Sequence, residues 1–406
     1  MSDYYFGGIC RSFHSALLLA CVHIATTVAQ EPAITDLSQL TGKVIDIQLK
    51  KGFHANAVIE TVVPGNSEGS AKILTIKEGD KSRRVSASLI VELFFEGQPL
   101  DAKYDRRTRC LMIDMEHREE RLANRQAAAE RLRQQRRQFW PHLTDEDRKE
   151  FIAEQEQFVK DAQAKLAPVP LRLVETQFFV FVTDLTPPEV DGYIAYLDAM
   201  YKQLCLSFGM PREKNIWCGK CIVFGFREQP TYLRFESVVM NNPNAMGTQG
   251  LCHQRSDGNV VFAGYKGDNG SFGHVLVHET THGYLHRLLS SARVPSWLNE
   301  GISDWMADKV VGGDRIKRRQ QQSAQVMKQR GGFGNFLRAE RIDGTEYGAG
   351  STLVSLLLDR DRGGQFNKFL VGIKEGYDPE ESLKRSFNLS YQQLEQLYGM
   401  AIARMR

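Results

Sequence analysis

The chain has 406 residues, of which 42% are hydrophobic and 25% are charged. This length exceeds a typical single domain, and the composition excludes disordered and fibrous classes of protein. The 52 Lys and Arg residues against 49 Asp and Glu residues give a net charge of +3, which is too small to indicate nucleic acid as a partner.

Residues 1–30 predict an export signal. Arg11 and His14 precede an apolar run that begins at Ala16, and residues 25–29 offer small side chains for cleavage. The run is too short for a stable membrane anchor, and no other segment has the length of a transmembrane helix. We therefore expect an exported protein (secreted, periplasmic or at the cell surface) without an integral membrane span.

Residues 31–112 predict a small all-β domain. Alternating apolar and polar residues cover 44–49, 57–62 and 71–76, and turns that contain Gly or Asn separate these runs. The region carries no pattern typical of catalysis, so we interpret it as a folding module. A role in adhesion or in substrate presentation is the alternative.

Residues 113–167 predict a charged helical connector. Arginines alternate with glutamates over 116–137, which is typical of a solvated helix with ion pairs rather than of a nucleic-acid-binding surface. Thr144 and Asp147 predict the N-cap of a second helix, and Pro168 closes the stretch.

Residues 168–406 predict an α+β domain. Buried strands are indicated at 177–182, 222–226 and 259–263, and an amphipathic helix at 188–206. Further helices are indicated just after Tyr347, up to about residue 358, and over the C-terminal tail from residue 391.

Seven cysteines are present, two of them inside the predicted signal. Cys218 and Cys221 have metal-ligand spacing, but no second such pair completes a zinc ribbon. Because the protein is predicted to be exported, we expect disulfides among Cys205, Cys218, Cys221 and Cys252. Their pairing stays open.

The sequence His-Glu-x-x-His at 278–282 is the most informative motif of the chain. Positions i and i+4 of a helix share a face, so His278 and His282 direct their imidazoles at one point. Two imidazoles and one carboxylate leave the fourth position of a tetrahedral Zn²⁺ open. Glu279 follows the first ligand and can take a proton from a water molecule there.

A second helix is predicted between Pro295, which suits a helix start, and Gly312, which ends it. Glu300 and Asp304 lie one turn apart on one face of this helix. Glu300 is therefore the candidate for the third zinc ligand. Asp304 is the candidate acceptor for the free N–H of a ligating histidine, which fixes the orientation of the ring.

These residues resemble the gluzincin metallopeptidases. The His-Glu-x-x-His motif is followed eighteen residues later by Glu300 within Leu-Asn-Glu-Gly, similar to the alanyl-aminopeptidase branch, and Asn-Glu-Gly-Ile-Ser-Asp at 299–304 is similar to the thermolysin branch. The closest similarity is to small bacterial peptidase-MA-like domains. The glutamate that binds a free amine in aminopeptidases has no counterpart near Met246. His286 does not fit the third histidine of the metzincins, and we interpret it as a polar residue of the same helix.

The resemblance implies a zincin-like domain, made of a mixed sheet and zinc-binding helices, over 168–406. It implies zinc as the cofactor and a peptide or protein as the substrate. It also implies that the strand at 259–263 is a sheet edge able to pair with an extended peptide, although an ordinary core strand is the alternative. A tyrosine opens a later helix in that family, which makes Tyr347 the candidate donor to the oxyanion. Its alternative is an ordinary tyrosine at a helix start.

The sequence therefore predicts a zinc metallopeptidase with His278, His282 and Glu300 as ligands and Glu279 as general base. Two other functions stay open. One is a non-catalytic surface or binding protein that keeps zinc for stability, and the other is a hydrolase of a non-peptide amide. An intact Glu279 is evidence against the first, because a structural zinc site has a closed fourth position and needs no base.

Overall fold

A computed structural model describes residues 34–79, 81–95, 98–114, 118–136, 139–268 and 270–403. The predicted export signal lies outside these residues. The chain divides into two compact units, Met1–Arg125 and Gln126–Arg406. Within the described part of the chain, no helix combines the length and hydrophobicity that a membrane span requires.

The first unit contains a sheet in which the described residues form eight strands. Strand β1 has its alternate residues Ile45, Ile47 and Leu49 buried, as the apolar alternation predicts. The all-β prediction for this region is confirmed. The order is β6-β5-β1-β2-β3-β8-β7, with β4 also on β3. The strands are β1 (Val44–Leu49), β2 (Gly52–Pro64), β3 (Ala71–Glu78), β4 (Lys81–Ser86), β5 (Ile90–Phe95), β6 (Gln98–Pro99), β7 (Ala102–Asp105) and β8 (Cys110–Ile113).

A helix spans the boundary between the two units, and the second unit combines helices with one five-stranded sheet. Its helices begin where the sequence supplies caps: Thr144 caps α2 through the amide of Asp147, as predicted. The helices are α1 (Arg118–Arg136), α2 (Asp145–Leu166), α3 (Pro187–Ser207), α4 (Gln229–Val238), α5 (Phe272–Arg287), α6 (Ser296–Val311), α7 (Arg315–Arg330), α8 (Tyr347–Arg360), α9 (Gln365–Lys374), α10 (Pro379–Phe387) and α11 (Tyr391–Ile402). The strands are β9 (Arg172–Glu175), β10 (Phe179–Thr183), β11 (Cys221–Phe226), β12 (Gly250–Gln254) and β13 (Val260–Tyr265).

The sheet of the second unit has the order β12-β13-β11-β10-β9. Strands β10, β11 and β13 are parallel, and β9 and β12 are antiparallel edge strands. The expectation that the strand at 259–263 forms the sheet edge is therefore wrong. Strand β13 is interior, in agreement with the alternative of a core strand, and the edge on its side of the sheet is β12, a strand that sequence reasoning did not identify.

Helices cover both faces of this sheet. Val180 and Val182 of β10 pack with α2 and α4, whereas Phe179 and Phe181 pack with α3 and α5. Helix α2 buries Val159, among other residues, against the sheet and so belongs to the core of the second unit. The connector predicted over 113–167 is therefore not separate over its whole length, because its second helix is a layer of the second unit.

All five described cysteines are free thiols: Cys110, Cys205, Cys218, Cys221 and Cys252. The predicted disulfides are therefore absent from the described part of the chain. Burial raises the pKa of Cys221 and Cys252, so both are held as neutral thiols in the core. Packing, rather than cross-linking, accounts for these residues.

Candidate metal centre

Helix α5 lies close against the sheet because it carries a glycine at the contact. A Cβ atom at Gly283 would lie 2.5 Å from Cγ1 of Val260 and 3.1 Å from Sγ of Cys252, so a larger residue would push the helix away. This contact holds α5 on β12 and β13. Gly283 directly follows His282, so this contact fixes the position of the motif relative to β12 and β13.

Helix α6 is held in turn by α8 at a contact between two glycines. A Cβ atom at Gly301 would lie 2.6 Å from the backbone carbonyl of Gly350, and one at Gly350 would lie 2.4 Å from the carbonyl oxygen of Trp297. The two backbones therefore touch directly. Because Glu300 is adjacent to Gly301, this contact sets the position of the Glu300 carboxylate.

Three ligand-type atoms meet between α5 and α6. Nε2 of His278 lies 3.1 Å from Nε2 of His282 and 3.2 Å from Oε2 of Glu300, and the His282–Glu300 distance is 3.5 Å. The edge of a tetrahedron of zinc ligands at about 2.0–2.1 Å from the metal is about 3.3–3.4 Å. The three measured distances bracket this value, so the residues present fit a zinc ion.

The protonation of the two rings supports the same interpretation. Nδ1 of His278 lies 2.9 Å from Oδ1 of Asp304, a carboxylate that can only accept, so Nδ1 donates and Nε2 is left for a ligand. Nδ1 of His282 lies 3.0 Å from Oγ of Ser303, which allows the same tautomer. Oε2 of Glu300 is buried and receives no hydrogen bond from any described residue. Three electron pairs then converge on one point, an arrangement that a cation stabilises.

The pKa values reflect the close approach of these imidazoles and carboxylates. Burial acts to lower the pKa of His278, but its hydrogen bond to Asp304 and its contact with Glu300 outweigh burial and raise the pKa to about 10. Burial acts to raise the pKa values of Glu300 and Asp304, but the neighbouring imidazoles keep both below their usual range. Both carboxylates are therefore ionised at neutral pH. Without a metal ion the two carboxylates hold a proton on His278, and a bound metal ion would displace that proton.

Glu279 is a second carboxylate close to the two imidazoles. Its carboxylate falls within 4.8 Å of ligand atoms of His278 and His282, and its side chain is half-buried. Of the two carboxylates near the imidazoles, Glu300 has the distances of a ligand. Glu279 has the position expected of a base that reaches a water molecule next to the metal.

Tyr347 opens α8 and lies against the same site. Its ring is nearly parallel to that of His278, with an interplanar angle of 9° and a centroid separation of 6.2 Å. Burial, assisted by the charges of Glu300 and Glu279, raises the pKa of Tyr347 to about 12. Its hydroxyl therefore stays protonated and able to donate. A Cβ atom at Gly348 would overlap the backbone of Arg319 at 2.2 Å, so α7 and α8 touch at this helix start.

Sequence reasoning missed two residues of the site. Ser303 contacts His282, and Nη1 of Arg319 donates to Oδ1 of Asp304 at 2.5 Å. Ser303 carried a signal, because it lies three residues beyond Glu300 and next to Asp304. Arg319 carried none, because it lies on a separate helix that only the fold brings to the site. His286 lies one turn beyond His282 and contacts the carbonyl oxygen of Arg255 at 3.3 Å.

No family model matches the chain, and no curated protein matches it either. The candidate metal centre is therefore supported by the geometry and chemistry of its own residues.

Proposed function

We propose that the protein is a zinc-dependent metallopeptidase whose second unit is a zincin-like catalytic domain. The proposed ligands are His278, His282 and Glu300. The observation that carries the proposal is the convergence of their three ligand atoms at separations of 3.1, 3.2 and 3.5 Å. The orientation of His278 by the Asp304 carboxylate supports it, because metal-bound histidines typically donate their second N–H to such a group.

A bound zinc ion would supply Lewis acidity, which polarises a carbonyl group and lowers the pKa of water. The chain supplies the proton transfers. Glu279 accepts the proton of the attacking water and passes it to the amine that leaves. Tyr347, kept protonated, donates a hydrogen bond to the oxygen on which negative charge develops. Asp304 and Ser303 hold the imidazole rings in position throughout.

The half-buried Glu279 distinguishes this proposal from a structural zinc site. A structural site encloses its metal with four protein ligands and needs no free carboxylate beside them. His278, His282 and Glu300 offer three ligand atoms at about tetrahedral spacing, and Glu279 is an additional carboxylate within 4.8 Å of the imidazole ligand atoms. Hydrolysis of a non-peptide amide would use the same residues, so the choice of substrate is what an assay must decide.

We propose, in addition, that the protein is exported. The support is the apolar run within residues 1–30, preceded by Arg11 and followed by small residues. N-terminal sequencing of protein recovered from a secreting host tests this. A chain that begins after about residue 30 is expected, and one that retains Met1 in full would contradict export with cleavage.

The proposed function is tested by metal analysis together with peptide-library cleavage. Wild-type protein should bind about one zinc ion per chain and cleave library peptides. His282→Ala should lose the zinc, whereas His286→Ala removes a histidine from the same helix and should keep it. Glu279→Gln should keep the zinc and lose about 10²–10⁴-fold in activity.

Full zinc occupancy in His282→Ala would overturn the ligand assignment. Loss of zinc from Glu279→Gln would show that Glu279 is a ligand rather than a base. Zinc-loaded wild-type protein that cleaves no peptide but hydrolyses small amides would favour the amide hydrolase, and one that hydrolyses neither would favour the non-catalytic protein.

A further inference from the structure

Helix α7 directs two arginines towards the metal centre. Arg315 and Arg319 are four residues apart and so share a face of the helix. Both are half-buried, whereas Lys317 and Arg318 between them are exposed. The inward face of α7 therefore brings two positive charges into the vicinity of the metal ligands.

Arg319 has a partner that fixes its position. Its Nη1 donates to Asp304 at 2.5 Å, and its guanidinium carbon lies 5.6 Å from the centre of the Tyr347 ring. The charge of Arg319 is thus matched by the carboxylate that orients His278. These contacts also place the inward face of α7 next to the proposed reaction site.

Arg315, one turn earlier, has no such partner. No hydrogen bond or ion pair joins it to any residue within the described ranges. Burial and the charges of Arg319 and Arg318 lower the pKa of Arg315, and the attraction of Asp304 acts against them. A partly desolvated cation without a partner is unfavourable, and an anion beside it relieves that cost.

The surroundings of Arg315 show where such an anion would lie. The loop before α7 rests on α5, since a Cβ atom at Gly313 would lie 3.9 Å from Nε2 of His274. His274 precedes His278 by one helical turn, and its Nδ1 is buried without a hydrogen-bond partner in the described structure. Arg315 follows Gly313 by two residues, and its charge acts on His274, so it lies on the side of α7 that faces the N-terminal end of α5.

We infer that Arg315 is a specificity-determining residue that binds a carboxylate of the substrate beside the N-terminal end of α5. A guanidinium group suits this task because its planar N–H groups match the two oxygens of a carboxylate. The inference rests on the proposed peptidase function. The carboxylate has two sources in a peptide, namely an Asp or Glu side chain near the scissile bond and the free C-terminus.

The test uses synthetic peptides in matched pairs. One pair carries Glu or Gln at each position near the bond that the library identifies, and another has a free or an amidated C-terminus. Wild-type protein should prefer the carboxylate in one pair by about 10–100-fold in kcat/KM, as a charge-assisted hydrogen bond implies. Arg315→Ala should lose that preference, and Arg315→Glu should reverse it in favour of the amide peptide. Lys317→Ala, which removes an exposed charge from the same helix, should retain it.

A binding measurement separates failure of this inference from failure of the proposed function. Calorimetry with the Glu279→Gln variant measures the affinity of the same peptides without cleavage, and adding Arg315→Ala should abolish the preference. Equal cleavage of the carboxylate peptide and the amide peptide in every pair would overturn the role of Arg315 and leave the peptidase intact. Carboxylate-selective binding that depends on Arg315, without cleavage by the wild type, would uphold the site and overturn the peptidase. Equal binding of acid and amide peptides would overturn the inference.

Discussion

The contact between α6 and α8 makes a sharp prediction for Gly301→Ala. The added Cβ atom would lie 2.6 Å from the carbonyl group of Gly350, about 0.8 Å short of ordinary van der Waals contact. Backbone cannot move aside as a side chain can, so α6 must shift. We expect a cost of about 1–3 kcal/mol from overpacking, reduced by up to about 1 kcal/mol because alanine favours the helix.

The same shift should weaken the metal site. Glu300 adjoins Gly301, and its Oε2 lies 3.2 Å from His278 and 3.5 Å from His282, as tetrahedral ligation requires. Metal–ligand distances tolerate errors of only about 0.2 Å. A displacement several times larger should therefore lower zinc affinity by about tenfold or more, an effect comparable with the loss of a group that orients a ligand.

Urea denaturation of metal-free protein and chelator competition measure the two effects separately. Gly192→Ala in α3 is the matched control, because a Cβ atom there meets nothing within 4 Å. That variant should be slightly more stable than the wild type and bind zinc unchanged. If Gly301→Ala behaves like the control in both assays, close helix contact is not what positions Glu300.

Three further predictions concern the surroundings of the site. Asp304→Ala should weaken zinc binding by about 10–100-fold, and Ser303→Ala should weaken it by less because a neutral hydroxyl is the weaker partner. Equal zinc affinities of the two variants in chelator competition would contradict this ranking. Tyr347→Phe should keep zinc but lower kcat by about 10²–10³-fold, and an unchanged kcat would remove Tyr347 from the chemistry. Burial and the nearby Arg287 lower the pKa of Lys374 to about 7. Between pH 7 and about 10.5 the unfolded chain therefore binds more protons than the folded protein, so the free energy of unfolding of the wild type should rise with pH. It should rise less in Lys374→Met. Urea denaturation at both ends of this pH range measures the difference.

Much of the metal centre could be predicted from the sequence because its residues lie close together within two short helical segments. The predicted bounds of α6, from Pro295 to Gly312, agree with Ser296–Val311, since a proline start and a glycine with positive φ mark its ends. Helix periodicity alone then puts Glu300 and Asp304 on one face. The structure brings both close to His278, while their roles in metal binding stay predictions.

The features that sequence reasoning missed depend on contacts between distant segments. Strand β12 begins with Gly250 and ends with His253 and Gln254, so it lacks the apolar signal of β10 or β11. Helix α2 joins a core that includes β11, β13 and α4, which lie far from it in sequence. The disulfides were expected because the protein is predicted to be exported, but export does not determine whether two thiols lie close enough to bond.

The eighteen-residue gap between His282 and Glu300 follows from the geometry of the helix pair. Helix α5 continues five residues beyond His282, and α6 begins four residues before Glu300. Each residue rises about 1.5 Å along a helix, so His282 lies about as far from the C-terminal end of α5 as Glu300 lies from the N-terminal end of α6. His278 lies one turn before His282 on α5, and Asp304 lies one turn after Glu300 on α6. His278 and Asp304 form a hydrogen bond at 2.9 Å. A single antiparallel register thus brings the ligands together and supplies the group that orients one of them. A change in the length of the loop between α5 and α6 should disturb the ligand positions and the His278–Asp304 hydrogen bond only if it shifts α6 along α5.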